Sequence, residues 1–269
     1  MKTGADLIKD IDERYVPFGA LCFWWLGQLS FVVKTQRAVL YLDPFLSPLE
    51  GRRVPPLLQP EDVTNADVIT GSHDHADHID HGALPGLMAA SPRSILVAPR
   101  PTGAVLERIG LPMSRVRLLD DGQVLEEKGV RVTAIKAAHE LFDHSVAYGY
   151  PYLGYVIEAD GVTIYHAGDT CVYDGLATRL RAWSIAVAFL PINGRDARRL
   201  RAGCIGNMTY QEAVDLAGTI QPRLTVPSHY EMFAMNTADP VLFADYMDVK
   251  FPGLRYWIGR HGEGVEVGL

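Results

Sequence analysis

Ser72-His73-Asp74-His75-Ala76-Asp77-His78 begins just beyond a short apolar run, residues 68–70, that stops at Gly71. His73 and His75 are two residues apart, so in extended backbone both side chains point to the same side and can reach one ion. Asp77 and His78 follow where the chain turns toward the next helix, and can face a second ion. Neutral imidazole suits zinc and its neighbours, and carboxylate also suits manganese. Three of the chain's nine histidines fall inside these few residues, too dense a group for an ordinary polar loop.

Four residues cannot close two coordination shells, so further donors are expected at other strand ends. His139 follows an apolar strand pattern over 130–135, and Asp169 ends the stretch Tyr165-His166-Ala167-Gly168-Asp169-Thr170. His229 follows a short apolar run over 224–227. Each alone reads as a structural polar residue; in this order behind the first cluster, they read as ligands.

His-x-His-x-Asp-His followed by a His, a Gly-Asp and a final His resembles the metallo-β-lactamase superfamily, and the resemblance covers nearly the whole chain. Phe23-Trp24-Trp25-Leu26-Gly27, the stretch around Asp169 and Pro227-Ser228-His229-Tyr230-Glu231-Met232-Phe233 are similar to the L-ascorbate-6-phosphate lactonase branch. The resemblance implies one metal held by His73, His75 and His139, a second held by Asp77, His78 and His229, and Asp169 bridging them. It also implies an α/β fold, a four-layer αβ/βα sandwich of two mixed sheets flanked by helices, spanning 1–269 as one domain with the site at one edge. This chain departs from the branch in three ways. The region after Asp43-Pro44 is shortened, His139 stands where the lactonase can carry a carboxylate, and Gln28 stands where many relatives outside the branch carry His.

The expected chemistry is hydrolysis with two divalent ions, zinc or manganese. Sharing a water between ions roughly 3.5–4 Å apart would bring its pKa from about 15.7 toward 7. Asp77 and His229 are the candidate catalytic side chains, with Asp77 as proton shuttle. No Gly-x-Ser-x-Gly elbow competes. A small anionic lactone is the expected substrate. A phosphodiesterase of the same superfamily, a redox enzyme and a non-catalytic metal-binding protein are the rivals. Asp77 and His78 argue against the redox reading, because mono-iron members generally lack second-site ligands.

Outward from the motif, the pattern predicts helices near 5–14, 79–89, 102–109, 175–183, 210–219 and 240–248. Strands are expected over 21–25, 31–34, 39–42, 68–70, 95–98, 116–119, 124–125, 130–135, 185–192, 224–227, 254–258 and 264–268. A hairpin of 155–158 and 163–166 turns at Asp160-Gly161. Residues 47–60, with four prolines, read as an excursion loop rather than a domain boundary. Residues 192–201 carry four arginines in seven positions. Asn193 and Arg195 are the candidate substrate-binding residues, either as an anion clamp or, equally well, as part of a solvated loop or subunit contact. His81 reads as a helix-face residue, His166 as a residue orienting the ligands from behind, and Cys171 as structural.

With 269 residues, 48% hydrophobic and 21% charged, the chain has enough apolar material for a full core. A net charge of −7 excludes a general nucleic-acid or anionic-membrane binder. Three scattered cysteines without a Cys-x-x-Cys pair point to a reduced, cytoplasmic protein. The first residues show no apolar signal core. The expected partners are a small anionic molecule and a second copy of the chain.

Overall fold

The structure, a computed structural model, describes residues 1–268. In chain order the elements are α1 (Gly4–Glu13), β1 (Leu21–Gly27), β2 (Ser30–Lys34), β3 (Val39–Leu42), β4 (Val68–Thr70), α2 (Leu84–Ala90), β5 (Ile95–Pro99), α3 (Gly103–Arg108) and β6 (Val116–Leu119). The second half contains β7 (Val124–Glu127), β8 (Val130–Lys136), β9 (Leu153–Ala159), β10 (Val162–His166), α4 (Leu176–Leu180), β11 (Val187–Pro191), α5 (Ala197–Arg201), α6 (Tyr210–Ile220), β12 (Leu224–Ser228), α7 (Pro240–Lys250) and β13 (Gly264–Val267).

Two mixed sheets form, with strand orders β13-β1-β2-β3-β4-β5-β6 and β12-β11-β10-β9-β8-β7. Each joins an antiparallel meander to a run of parallel strands. β3 through β6 are parallel in the first sheet, and β10, β11 and β12 in the second. Parallel neighbours share a carboxyl edge, the usual place for a ligand site in such sheets.

The strand β1 shows how the layers stack. All seven of its residues are buried, so its apolar run is continuous rather than alternating, as a strand covered on both faces requires. Leu21, Phe23 and Trp25 join the cluster that also holds Tyr155, Ile157 and Phe189 of the second sheet. Cys22, Trp24 and Leu26 face the other way, onto Leu7 and Ile11 of α1, Leu84 and Leu87 of α2, and Leu106 of α3. The helices α6 and α7 add Val214, Ala217, Phe243 and Met247 to the second sheet's cluster. The four-layer sandwich expected from the sequence is therefore present.

Some boundaries differ from expectation. The helix expected over 79–89 starts only at Leu84, with Pro85 in its first turn. Before it, Asp80 accepts from the backbone of Gly82 and Ala83 and holds a turn. Residues 254–258 form no strand. Tyr256 makes a single parallel bridge to Thr225, with Pro252 and a left-handed Gly253 (φ 95°) just before it. Five residues of the arginine-rich stretch, expected as loop, form α5, because Asp196 caps the N–H groups of Arg198 and Arg199 at 2.9 and 3.0 Å. Among the described residues no helix is long and apolar enough to cross a membrane.

Candidate metal centre

Every donor singled out in the sequence lies just beyond the carboxyl end of a strand. His73, His75, Asp77 and His78 follow β4, His139 follows β8, Asp169 follows β10, and His229 follows β12. Three groups of donors gather with their ligand atoms within 4.8 Å of one another: His73, His75 and His139; His73, His78 and Asp169; and Asp77, His78 and His229. His73 Nε2 stands 2.8 Å from His75 Nδ1. Asp169 lies between the groups. Its Oδ1 is 3.4 Å from His78 Nε2, and its Oδ2 is 3.3 Å from His229 Nε2 and 3.7 Å from His139 Nε2.

The chain bends sharply to bring these groups in. Five of its eight non-glycine residues with positive φ lie on the site loops: Gln28, Asp43, Glu140, His229 and Glu231. Gly168, beside Asp169, has φ 61°, and a Cβ there would sit 2.5 Å from the Leu153 carbonyl oxygen. Only a glycine allows that approach.

Neighbouring groups fix which imidazole nitrogen faces the centre. His78 Nδ1 meets Asp43 Oδ2 at 2.6 Å, leaving Nε2 inward. His139 Nδ1 donates to the Gly206 carbonyl at 3.1 Å, again leaving Nε2 inward. Asp43 is itself held by the Ser72 backbone N–H and hydroxyl. A carboxylate or carbonyl behind a ligating imidazole is the usual support of a metal site.

The electrostatics divide the cluster. Burial pushes the imidazole pKa of His73 well below the ordinary value and lowers those of His75 and His139, so all three are neutral at pH 7. Burial pushes His78 and His229 in the same direction, but Asp169 and Asp77 outweigh it. They hold His78 well above the ordinary value and raise His229. Reciprocally, Asp169 overcomes burial through His229 and His78 and lies well below the ordinary carboxyl value.

The cluster passes a simple test of fit to cations. His78 Nε2 and Asp169 Oδ1 are both buried and neither has a hydrogen-bond partner. Orphaned buried donors and acceptors are costly, and a divalent cation satisfies both at once. Five imidazoles and two carboxylates suit zinc, with manganese as the alternative.

Three residues at the site were given no role from the sequence. Asp43 gave a signal, since Asp-Pro ends β3, but one carboxylate after a strand does not reveal its partner. Gln28 donates to Asp77 Oδ2 at 2.9 Å from a position with φ 52°. The Tyr152 ring packs 5.1–5.3 Å from the rings of His139 and His73. Neither carries a spacing pattern.

Other expectations need correction. The Arg195 guanidinium is bound bidentately by Glu212 at 2.6 and 2.8 Å and also donates to the Asn207 carbonyl. Both ends of the buried Asn193 amide are used, by Asn236 and Asn207. Neither side chain is a free anion clamp. His166 donates to or accepts at no ligand; its Nε2 meets the Leu29 carbonyl at 2.8 Å. His81 lies in a turn rather than on a helix, 2.6 Å from Asp74. Cys171 is buried, with its thiol facing the Gly206 carbonyl.

The sequence profile of the beta-lactamase superfamily domain matches residues 39–230, most of the chain. The chain belongs to the metallo-β-lactamase superfamily. Within the superfamily it is 30% identical over 224 residues to a UPF0173 metal-dependent hydrolase of Thermococcus kodakarensis, covering 81% of this chain and 88% of that protein. A UPF0173 metal-dependent hydrolase of Methanosarcina mazei is 29% identical over 234 residues, covering 84% and 90%. The fold resembles that of a metallo hydrolase from Ignicoccus hospitalis, with a TM-score of 0.73 at 22% identity, covering 93% of this chain and 99% of that one.

Proposed function

We propose that this superfamily member is a dinuclear metal-dependent hydrolase that opens a small, negatively charged lactone. The observation that carries the reading is the meeting of seven donors from both sheets around Asp169, with His78 Nε2 and Asp169 Oδ1 left for cations. In this reading His73, His75 and His139 hold one ion, and Asp77, His78 and His229 the other. Asp169 lies between them. Two bound divalent cations supply an activated water at neutral pH and polarise the substrate's carbonyl oxygen.

The chain's own residues do the rest. Asp77 is the proton carrier. Its side chain is 18% exposed, whereas those of Asp169, His78 and His229 are 5%, 0% and 1% exposed. It therefore exchanges protons with solvent while Gln28 holds its Oδ2 at 2.9 Å. The carboxylate's pKa, lowered by His78 and His229 against the opposing effect of burial, keeps it ionised at neutral pH. Tyr152 packs beside His73 and His139 and forms one wall of the first group of imidazoles.

The lactone is favoured by the resemblance of the stretches around Trp24-Trp25 and His229-Tyr230 to a lactonase branch. It is also favoured chemically, because a ring-opened alkoxide stays tethered and needs no leaving-group pocket.

The test measures metal content first, then compares turnover of sugar lactones with that of bis-aryl phosphodiesters. Two ions per chain and a clear preference for lactones are expected. Asp77→Asn should lose most of kcat at unchanged fold, since an amide of equal size cannot take a proton. Phosphodiester turnover far above lactone turnover would reject the substrate class. Near-normal kcat in a metal-loaded Asp77→Asn protein would remove Asp77 from the role.

A further inference from the structure

The loop from Asp43 to Val54 contains an arginine in an unusual setting. Arg52 donates only to carbonyl oxygens, from Nε to Val54 at 2.6 Å and from Nη1 to Phe45 at 3.1 Å and Ser47 at 2.8 Å. Its guanidinium carbon lies 4.1 Å from the Phe45 ring centroid. Among the described residues no carboxylate comes within ion-pair distance of it, in contrast to Arg195 and Glu212. Its Nη2 is buried with no hydrogen-bond partner. Burial lowers its pKa to about 10, so it remains a full cation at neutral pH.

The loop is fastened to the metal centre at both ends. At one end Asp43 holds His78, and Asp80 accepts from the backbone of Leu46 and Ser47 and from the Ser47 hydroxyl. At the other, the Arg53 N–H donates to the Met232 carbonyl at 2.9 Å, three residues past His229. The carboxylates whose charge reaches Arg52 are Asp80 and Asp77. Asp80 is already saturated by five donors, the last two from Gly82 and Ala83, and Asp77 belongs to the candidate ligand set.

His261 carries another buried nitrogen without a partner, Nε2. The ring lies 4.0 Å from the Trp25 ring, next to Gly27 and hence one residue from Gln28. Burial and the nearby Arg52 charge lower its pKa to about 4, so at pH 7 the ring is neutral and its Nε2 can donate without carrying charge.

We propose that Arg52 Nη2 forms an anion-binding subsite on the loop fastened to the metal centre, and that it holds the phosphate or carboxylate group of the substrate. A half-buried cation bonded only to neutral carbonyls, with one donor left over, is stabilised by an anion that supplies both charge and acceptor. The carbonyl cage fixes the guanidinium in advance, so little side-chain freedom is lost on binding. This subsite takes the role that Arg195, neutralised by Glu212, cannot fill. The inference rests on the metal-centre reading above for its place beside the reacting group, but its test does not depend on turnover.

Zinc-loaded protein with 15N-labelled arginine is titrated with inorganic phosphate and, separately, with acetate, while the Arg52 side-chain resonance is followed. The resonance is assigned by its absence in R52K. The subsite predicts that it moves with saturation, and the better of the two anions names the group recognised. In R52Q, with metal content and melting temperature checked first, affinity for that anion should fall about ten- to a hundred-fold. R52K should retain part of it. A resonance that stays still while phosphate binds, or equal affinities in wild type and R52Q, would overturn the proposal. Should R52Q fail to fold, the wild-type resonance decides alone. Anion binding at Arg52 in a protein that opens no lactone would sink the substrate reading and leave the subsite standing.

Discussion

Asp43 touches none of the inward-facing nitrogens, yet it decides which nitrogen of His78 is inward. With Nδ1 engaged at 2.6 Å, the proton that a cation must displace is the one on Nε2. The same two aspartates that draw cations to the centre also hold protons there when cations are absent. Because His78 lies well above the ordinary imidazole value and His229 is raised, the metal-free centre carries extra protons at neutral pH. Ligation needs the neutral rings, so metal uptake must release protons. Affinity should therefore rise with pH through neutrality and level off once the pH exceeds both values. His73, His75 and His139, already neutral, begin to compete only in acid. Zinc titrated into weakly buffered metal-free protein, with released acid measured alongside, checks this. An affinity flat between about pH 6 and 8 with no proton release would contradict it. At this scale the sequence was legible for the donors that gather at the site, because two-residue spacing and strand-end position are local signals. It gave Gln28 only through the resemblance and was silent on Tyr152, because the partners of each, Asp77 for Gln28 and His73 for Tyr152, lie far along the chain.

At the scale of elements, the segment from Asn193 to Glu212 shows how a local reading fails. Four arginines in an acidic chain suggest a ligand for anions, but Asp196 turns five residues of the stretch into a short helix and Glu212 takes Arg195. Glu212 also closes the capping box of α6 with Thr209, accepting from the Thr209 N–H at 2.9 Å while its own N–H reaches the Thr209 hydroxyl. Arg195 thus braces a helix start. Arg195→Ala should cost about 0.5–1 kcal/mol, because the pair is roughly a third exposed and solvent screens it. KM for an anionic substrate should not change. Denaturant unfolding and paired kinetics with an anionic substrate and a neutral analogue measure both. A selective KM rise for the anionic substrate would restore Arg195 to the binding site. The expected strand at 254–258 failed for a related reason. Apolar composition predicts pairing, but only Tyr256 finds a partner at the sheet's edge.

Across the whole molecule, the candidate ligands tie together two sheets that otherwise meet through apolar packing. His73, His75, Asp77 and His78 come from the first sheet, and His139, Asp169 and His229 from the second. Ions bound between them act on the native state only, so their removal should lower Tm and loosen the carboxyl edges of both sheets. At a hundred-fold excess over Kd the linkage is worth about 2.7 kcal/mol. Chelation followed by calorimetry and amide exchange tests this, and unchanged melting after complete metal removal would show that the ions add nothing to the join. The layering was readable in outline because β1 and the meanders are strongly apolar. The pairing of one sheet's edge with the other's was not, since no local pattern encodes it. The left-handed residues around the site carry a different consequence, one for heredity rather than chemistry. Glu140 and Glu231, neither of them fully buried, hold a left-handed backbone shape that glycine adopts more easily, so each position offers a gain in stability of about 1 kcal/mol from relieved strain. A lineage selected for heat tolerance alone would collect such glycines beside the donors first. It would become sturdier while its centre lost definition, so only continued demand for the reaction keeps these strained side chains in place.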